Sequence, residues 1–287
     1  MQLELREFKL SQIKDDATIM IIGKRGVGKS TILRNIMHAK RHLPFGIACS
    51  GTEEGNGAFG KHMPGTFVYS DYDAKAVQRV IDRQRTLSND DGATPSPVFI
   101  YLDDCLYDKG VMKRPEVRQI FLNGRHFKIF VAVTAQFSGD IPPAIRSNID
   151  YLFICRDPII QNRRRIWENF FGLMEFGQFQ QLMTKSTENF ECLVLDNTSR
   201  SNDPSDAIYW YKAKTDLPGF KMGCRAYWQF GRQKMAEARE AAARGDRAKK
   251  RNEAEKKITV TIKKIHAAKP AAASKTAPKA SAVAKKR

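Results

Sequence analysis

ATIMIIGKRGVGKSTILRNIMHAK, residues 17–40, joins two different local patterns through a glycine-rich stretch. Residues 17–22 are a short apolar run rich in β-branched side chains, and 29–40 carry Ile32, Leu33 and Ile36 at helical spacing. The segment therefore reads strand, glycine-rich loop, helix. Glycines let such a loop wrap around phosphate groups with its NH donors pointing inward, and the helix behind it adds the positive end of its dipole. The candidate phosphate-binding residues are Gly23, Lys24, Arg25, Gly26, Val27, Gly28, Lys29, Ser30 and Thr31. Lys29 is expected to reach the β and γ phosphates, Ser30 to offer its hydroxyl to magnesium, and Thr31 to bond a further phosphate oxygen. The ligand expected here is ATP with Mg2+.

Short apolar runs follow at 45–49, 66–69, 98–102, 129–134 and 151–155, and helical patterns at 74–87 and 115–122 separate several of them. Alternating strands and helices predict an α/β fold, with a mostly parallel central sheet covered on both faces. Residues 160–183 read as a helical stretch whose Trp167, Phe170, Phe171, Phe176 and Phe179 pack on the sheet. Runs at 190–195, 207–212 and 227–230 are expected to extend the sheet or form a hairpin.

Charge divides the chain of 287 residues in two. Residues 232–287 hold 18 lysines and arginines against five acidic residues, a net of +13 of the total +18. This basic Ala/Lys-rich extension is predicted to be helical to about residue 257, and its Lys/Ala/Pro/Ser end at 269–287 cannot bury enough apolar surface to order. A basic balance points to a polyanionic partner. The cysteines Cys49, Cys105, Cys155, Cys192 and Cys224 are scattered and form no C-x-x-C pair, as expected of reduced thiols in a soluble protein of a reducing compartment. Neither a signal peptide nor an apolar run long enough to span a bilayer is expected.

A second acidic site must hold the metal shell of a phosphate loop. VFIYLDD, residues 98–104, is an apolar strand ending in two carboxylates, the Walker B pattern to the loop's Walker A. Asp103 is expected to hold magnesium and Asp104 to polarise the attacking water, although such a pair can also cap a turn. Gln136 follows the strand at 129–134 and is a candidate γ-phosphate sensor, because ligands of open α/β sheets bind at the carboxyl ends of strands. Arg146, then Arg125, are candidates for an arginine that completes hydrolysis from a neighbouring subunit. His38 and His42 have a metal-compatible spacing but no third ligand. The run Arg163, Arg164, Arg165 reads as a charged helix face, and Trp210 and Trp228 as core.

Together GKRGVGKST, FIYLDD, VAVTAQ and PPAIRSNIDYLF resemble the DNA-packaging ATPases of large nucleocytoplasmic DNA viruses, poxvirus-type members of the FtsK/HerA superfamily. The resemblance covers about residues 1–230. It implies a RecA-like ATPase domain over 1–231, with an extra strand between the phosphate-loop and Walker B strands, and leaves the extension at 232–287 outside. It further implies a homo-oligomeric ring, a hexamer or pentamer, around double-stranded DNA. Hydrolysis would drive genome entry into a capsid, with capsid or virion membrane proteins as partners, in the host cytoplasm and the virion. Lys29, Ser30, Asp103, Asp104, Gln136 and Arg146 take the family's roles. Two other readings remain open: a small-molecule kinase with residues 163–165 as a phosphate lid, and a nucleotide-binding protein that condenses DNA through its tail.

Overall fold

The structure, a computed structural model, describes residues 4–89, 94–105, 108, 110–172, 174–201 and 203–266. Its elements run β1 (Arg6–Glu7), β2 (Thr18–Ile22), α1 (Lys29–Ala39), β3 (Gly46–Ser50), α2 (Glu53–Asn56), β4 (Val68–Tyr69), α3 (Ala74–Asn89) and β5 (Val98–Asp103). They continue with α4 (Pro115–Asn123), β6 (Ile129–Ala135), α5 (Pro143–Arg146), β7 (Tyr151–Ile154), α6 (Ile160–Phe170), α7 (Phe176–Ser186), β8 (Glu191–Asp196), β9 (Ile208–Lys212) and α8 (Arg225–His266).

Side chains alternate along a strand, and in β2 that alternation feeds two cores. Ile19 and Ile21 join Phe99, Tyr101, Phe130 and Phe153 on one face, covered by Ile32, Leu33 and Ile36 of α1. Met20 and Ile22 join Ile100, Leu102, Val131 and Val133 on the other, covered by Val77 of α3, Ile120 of α4 and Met183 of α7. Burial on both faces explains the unbroken apolar runs. Emptying either layer is costly: truncating buried Ile36 to Ala should destabilise by about 2–5 kcal/mol.

The described strands form one sheet in the order β1-β9-β8-β7-β2-β6-β5-β3-β4. From β7 through β4 all pairings are parallel, and β8 runs against both its neighbours. The phosphate-loop strand β2 and the acidic strand β5 are not adjacent, because β6 pairs with both. The carboxyl ends of β2, β6 and β5 therefore lie side by side.

Two expectations are corrected. Residues 160–183 are two helices, because the chain breaks after Phe170 and restarts at a capping box in which Glu175 and Gln178 satisfy each other's backbone NH groups. Residues 227–230 are not a strand but the first turns of α8. There the Tyr227 hydroxyl donates to Gly46 O at 2.8 Å, and Phe67 stacks on Tyr227 and Phe230. Gly231 follows at a close approach, since a Cβ there would meet Pro64 Cβ at 2.4 Å.

The chain divides into two compact units, Met1–Met235 and Ala236–Arg287. Within the second, helix continues to His266, past the expected end near 257, and an exposed Arg244–Glu240 pair spans one turn at 3.7 Å. The tail expected at 269–287 lies outside the described residues. No helix among the described residues is long and apolar enough to cross a membrane.

Candidate nucleotide-binding site

The loop between β2 and α1 turns on left-handed residues, Gly26 at φ 81° and Gly28 at φ 98°, and Gly28 caps the helix. Side chains disfavour that backbone region, so glycine is required. α1 thus starts at Lys29 with its unpaired NH groups facing a cleft of about 950 Å³. The Lys29 ammonium, half-buried, donates to Lys24 O at 2.9 Å, its single hydrogen-bond partner among the described residues. Burial lowers the pKa of Lys29, against the attraction of Asp104 and Asp103. Lys24 itself is held 3.6 Å from Asp157, a buried carboxylate just past β7.

Opposite the loop, Asp103 ends β5 with 4% of its surface exposed. Burial pushes its carboxyl above the ordinary range; the Thr134 hydroxyl and Lys29 oppose the rise, and Asp104 adds to it. One oxygen accepts a 2.7 Å hydrogen bond from Thr134 Oγ1. The other lies 3.5 Å from Ser30 Oγ, too far for a strong direct bond. Two hard oxygen donors so facing each other across a narrow gap suit a magnesium ion or its water shell. Ser30 and Asp103 are the residues that fit it. Among the described residues no cluster of three or more His, Cys, Asp or Glu forms a metal site. His42 instead pairs with Asp15 at 2.9 Å, and His38 packs edge-on against Phe220.

Asp104 leaves the strand at φ 51°, a left-handed conformation that Asp tolerates better than most residues. Its NH donates to Thr134 Oγ1 at 3.0 Å, and its Oδ1 accepts from Gln136 Nε2 at 2.9 Å. Thr134, 1% exposed, therefore bridges the two acidic residues, donating to the first and accepting from the second. Its signal in the sequence is one hydroxyl in an otherwise apolar strand, VAVTA, residues 131–135.

Arg25, Gly26, Gly28, Lys29, Ser30, Thr31, Asp103, Asp104 and Gln136 all line the cleft. Arg146 is not among the lining residues; it ends α5, with its guanidinium on the Asn169 side chain of α6. Arg125 is at the other end of the sheet, paired with Asp150. Arg163 is tied to Asp157 O and Thr184, and Arg164 lies over the Phe176 ring; neither lines the cleft. Trp210 is half-exposed and lines the cleft, contrary to the core position expected. Phe190, read as the start of a strand, lies in the turn before β8, 70% exposed, and lines the cleft too.

A glycine loop between strand and helix, facing an acidic strand across one intervening strand, defines a P-loop nucleoside triphosphatase of RecA-like architecture. The chain is 34% identical over 223 residues to uncharacterized protein 075L of Invertebrate iridescent virus 6, covering 76% of this chain and 86% of that protein. It is 34% identical over 218 residues to uncharacterized protein 088R of Invertebrate iridescent virus 3, covering 74% and 83%. A protein of Acanthamoeba polyphaga mimivirus is 30% identical over 236 residues, covering 79% and 82%. The fold is shared with the genome packaging NTPase B204 of Sulfolobus turreted icosahedral virus 2 in complex with AMP, at TM-score 0.51 and 13% identity over 70% of this chain and 100% of that one. No family model matches the chain. It belongs with its iridovirus and mimivirus relatives to one family of proteins of large DNA viruses.

Proposed function

We propose that the chain is an ATP-hydrolysing motor that translocates double-stranded DNA and packages a viral genome into its capsid. One observation carries this reading. Asp103, Thr134, Asp104 and Gln136 form a continuous hydrogen-bonded line along the carboxyl ends of two adjacent strands, facing Lys29 and Ser30. A triphosphate lying on the loop would meet the Lys29 ammonium, which would exchange a neutral carbonyl for phosphate oxygens. Ser30 and Asp103 would hold magnesium, which when bound would neutralise charge on the transferring phosphoryl group. Asp104 would accept a proton from the attacking water, and Gln136 would hold Asp104 in register with the γ phosphate.

Arg146 would act on a neighbouring copy's nucleotide in a homo-oligomeric ring, hexamer or pentamer. The basic extension at 232–287 would add sequence-independent attraction for DNA phosphates. Capsid or virion membrane proteins would dock the ring. Support comes from the family membership, the fold shared with a packaging NTPase and the charge asymmetry.

A translocating motor strips a third strand from a duplex in its path. The full chain with Mg·ATP should displace a triplex-forming strand from linear duplex DNA, and Lys29→Ala should not. Transfer of the γ phosphate to a nucleoside or nucleotide, with no displacement, would sink the reading.

A further inference from the structure

The phosphate machinery fills only part of the cleft. Beside it Asn189 and Phe190 are consecutive left-handed residues, at φ 49° and 64°. That conformation is unfavourable for a bulky side chain. Here it turns a phenyl ring, 70% exposed, out of the protein and over the phosphate loop, since a Cβ on Gly28 would stand 3.7 Å from Phe190 Cδ1. Strain spent on exposing an aromatic ring at a cleft wall calls for a ligand explanation.

The facing segment is also fixed. Asn35 of α1, 3% exposed, donates to Lys214 O at 2.8 Å and accepts from Lys214 N at 3.0 Å, while Arg34 donates to Thr215 O at 2.8 Å. Lys214 and Thr215 are thereby pinned along α1, and with Asp216 and Phe190 they line the cleft. The exposed Phe190 ring and a row of polar groups border the same space, which Trp210 also lines, a suitable setting for a flat heteroaromatic with a hydrogen-bonding edge.

We infer that this is the base subsite: the purine of the bound nucleotide stacks on Phe190, with its polar edge toward residues 214–216. The inference rests on the nucleotide-binding reading and adds the determinant that separates a nucleotide from bare polyphosphate. Aromatic stacking tolerates either purine, so Phe190 supplies affinity for a base, and selection of adenine falls to the polar segment.

Isothermal titration of the full chain with Mg·ATP and, separately, with magnesium tripolyphosphate tests it. Phe190→Ala should bind ATP about 5- to 100-fold more weakly and tripolyphosphate unchanged. Phe190→Trp should keep ATP affinity near that of the parent chain. Because the side chain is exposed, both variants should melt as the parent does. Unchanged ATP affinity in Phe190→Ala, or equal loss of both ligands, overturns the base subsite. Failure of the phosphate-loop reading looks different: the parent chain would bind neither ligand, or Lys29→Ala would bind both normally.

Discussion

The two ends of the central sheet are both rich in charge and satisfy it in opposite ways. At the amino ends of the strands the charges are matched. Asp150, 7% exposed, accepts from Thr18 N at 2.9 Å, from Thr18 Oγ1 and from Arg125. Lys128 meets Asp16 at 2.8 Å, and buried Lys40 meets Asp15 at 2.7 Å. At the carboxyl ends Lys24 meets Asp157 at 3.6 Å, but Lys29 holds only a backbone carbonyl, and buried Asp103 has the Thr134 hydroxyl without an ion pair among the described residues. Burying incompletely matched charge is costly. A fold keeps such an end where a ligand of opposite charge completes it, whereas the matched end is architecture.

Four substitutions test this contrast, from the largest effect to the smallest. Lys29→Ala should lower the ATP hydrolysis rate about 1,000-fold or more with little change in melting temperature, because in the proposed function the lysine's partner at the open end is the ligand. At the matched end Asp150→Ala should do the reverse. Leaving Thr18 N and Arg125 without their acceptor should cost about 3 kcal/mol of stability in denaturant titration, with hydrolysis per folded molecule retained. Thr134→Val keeps the side chain's shape but removes the bridge between Asp103 and Asp104. Turnover should fall about 10- to 100-fold while ATP affinity, read by titration, stays close to that of the parent.

The smallest effect concerns Asp15. Burial acts to raise its pKa, but hydrogen bonds from Lys40 and His42 outweigh that and hold it below the ordinary carboxylate value. A depressed carboxylate stabilises the fold above its unfolded pKa of about 3.9, and that contribution disappears as pH falls through the lower folded value. Asp15→Asn should therefore cost about 1 kcal/mol at neutral pH, with a difference from the parent that vanishes as pH falls through the carboxyl's lowered folded value.

The open end was largely legible in the sequence and the matched end was not. Local covalent spacing fixes the loop and helix around Lys29, so their residues announce themselves, and Asp103 and Asp104 stand out because two carboxylates end an apolar run. The pairs Arg125–Asp150 and Thr18–Asp150 join residues far apart along the chain, with no periodic signature. Thr134 was hidden by its β-branched shape, which suits a buried strand whether or not its hydroxyl is used. Phe190 and Trp210 were misread for a related reason: an apolar side chain in a strand pattern defaults to the core, and the left-handed turn that exposes Phe190 has no glycine to mark it. Residues 227–230 are too short an apolar run to separate strand from helix. Their contacts with Gly46 and Phe67 come from distant parts of the chain.

In the proposed motor the unmatched end of the sheet hydrolyses ATP in the service of DNA. Steady-state ATP hydrolysis by the full chain, measured with and without linear double-stranded DNA across a salt titration, separates such a motor from an ATPase that ignores DNA. The predicted result is a rate raised by DNA at low salt, a stimulation that fades steeply as counterions compete for the phosphates, and no activity in Lys29→Ala under any condition. A hydrolysis rate indifferent to DNA over the whole salt range would contradict it.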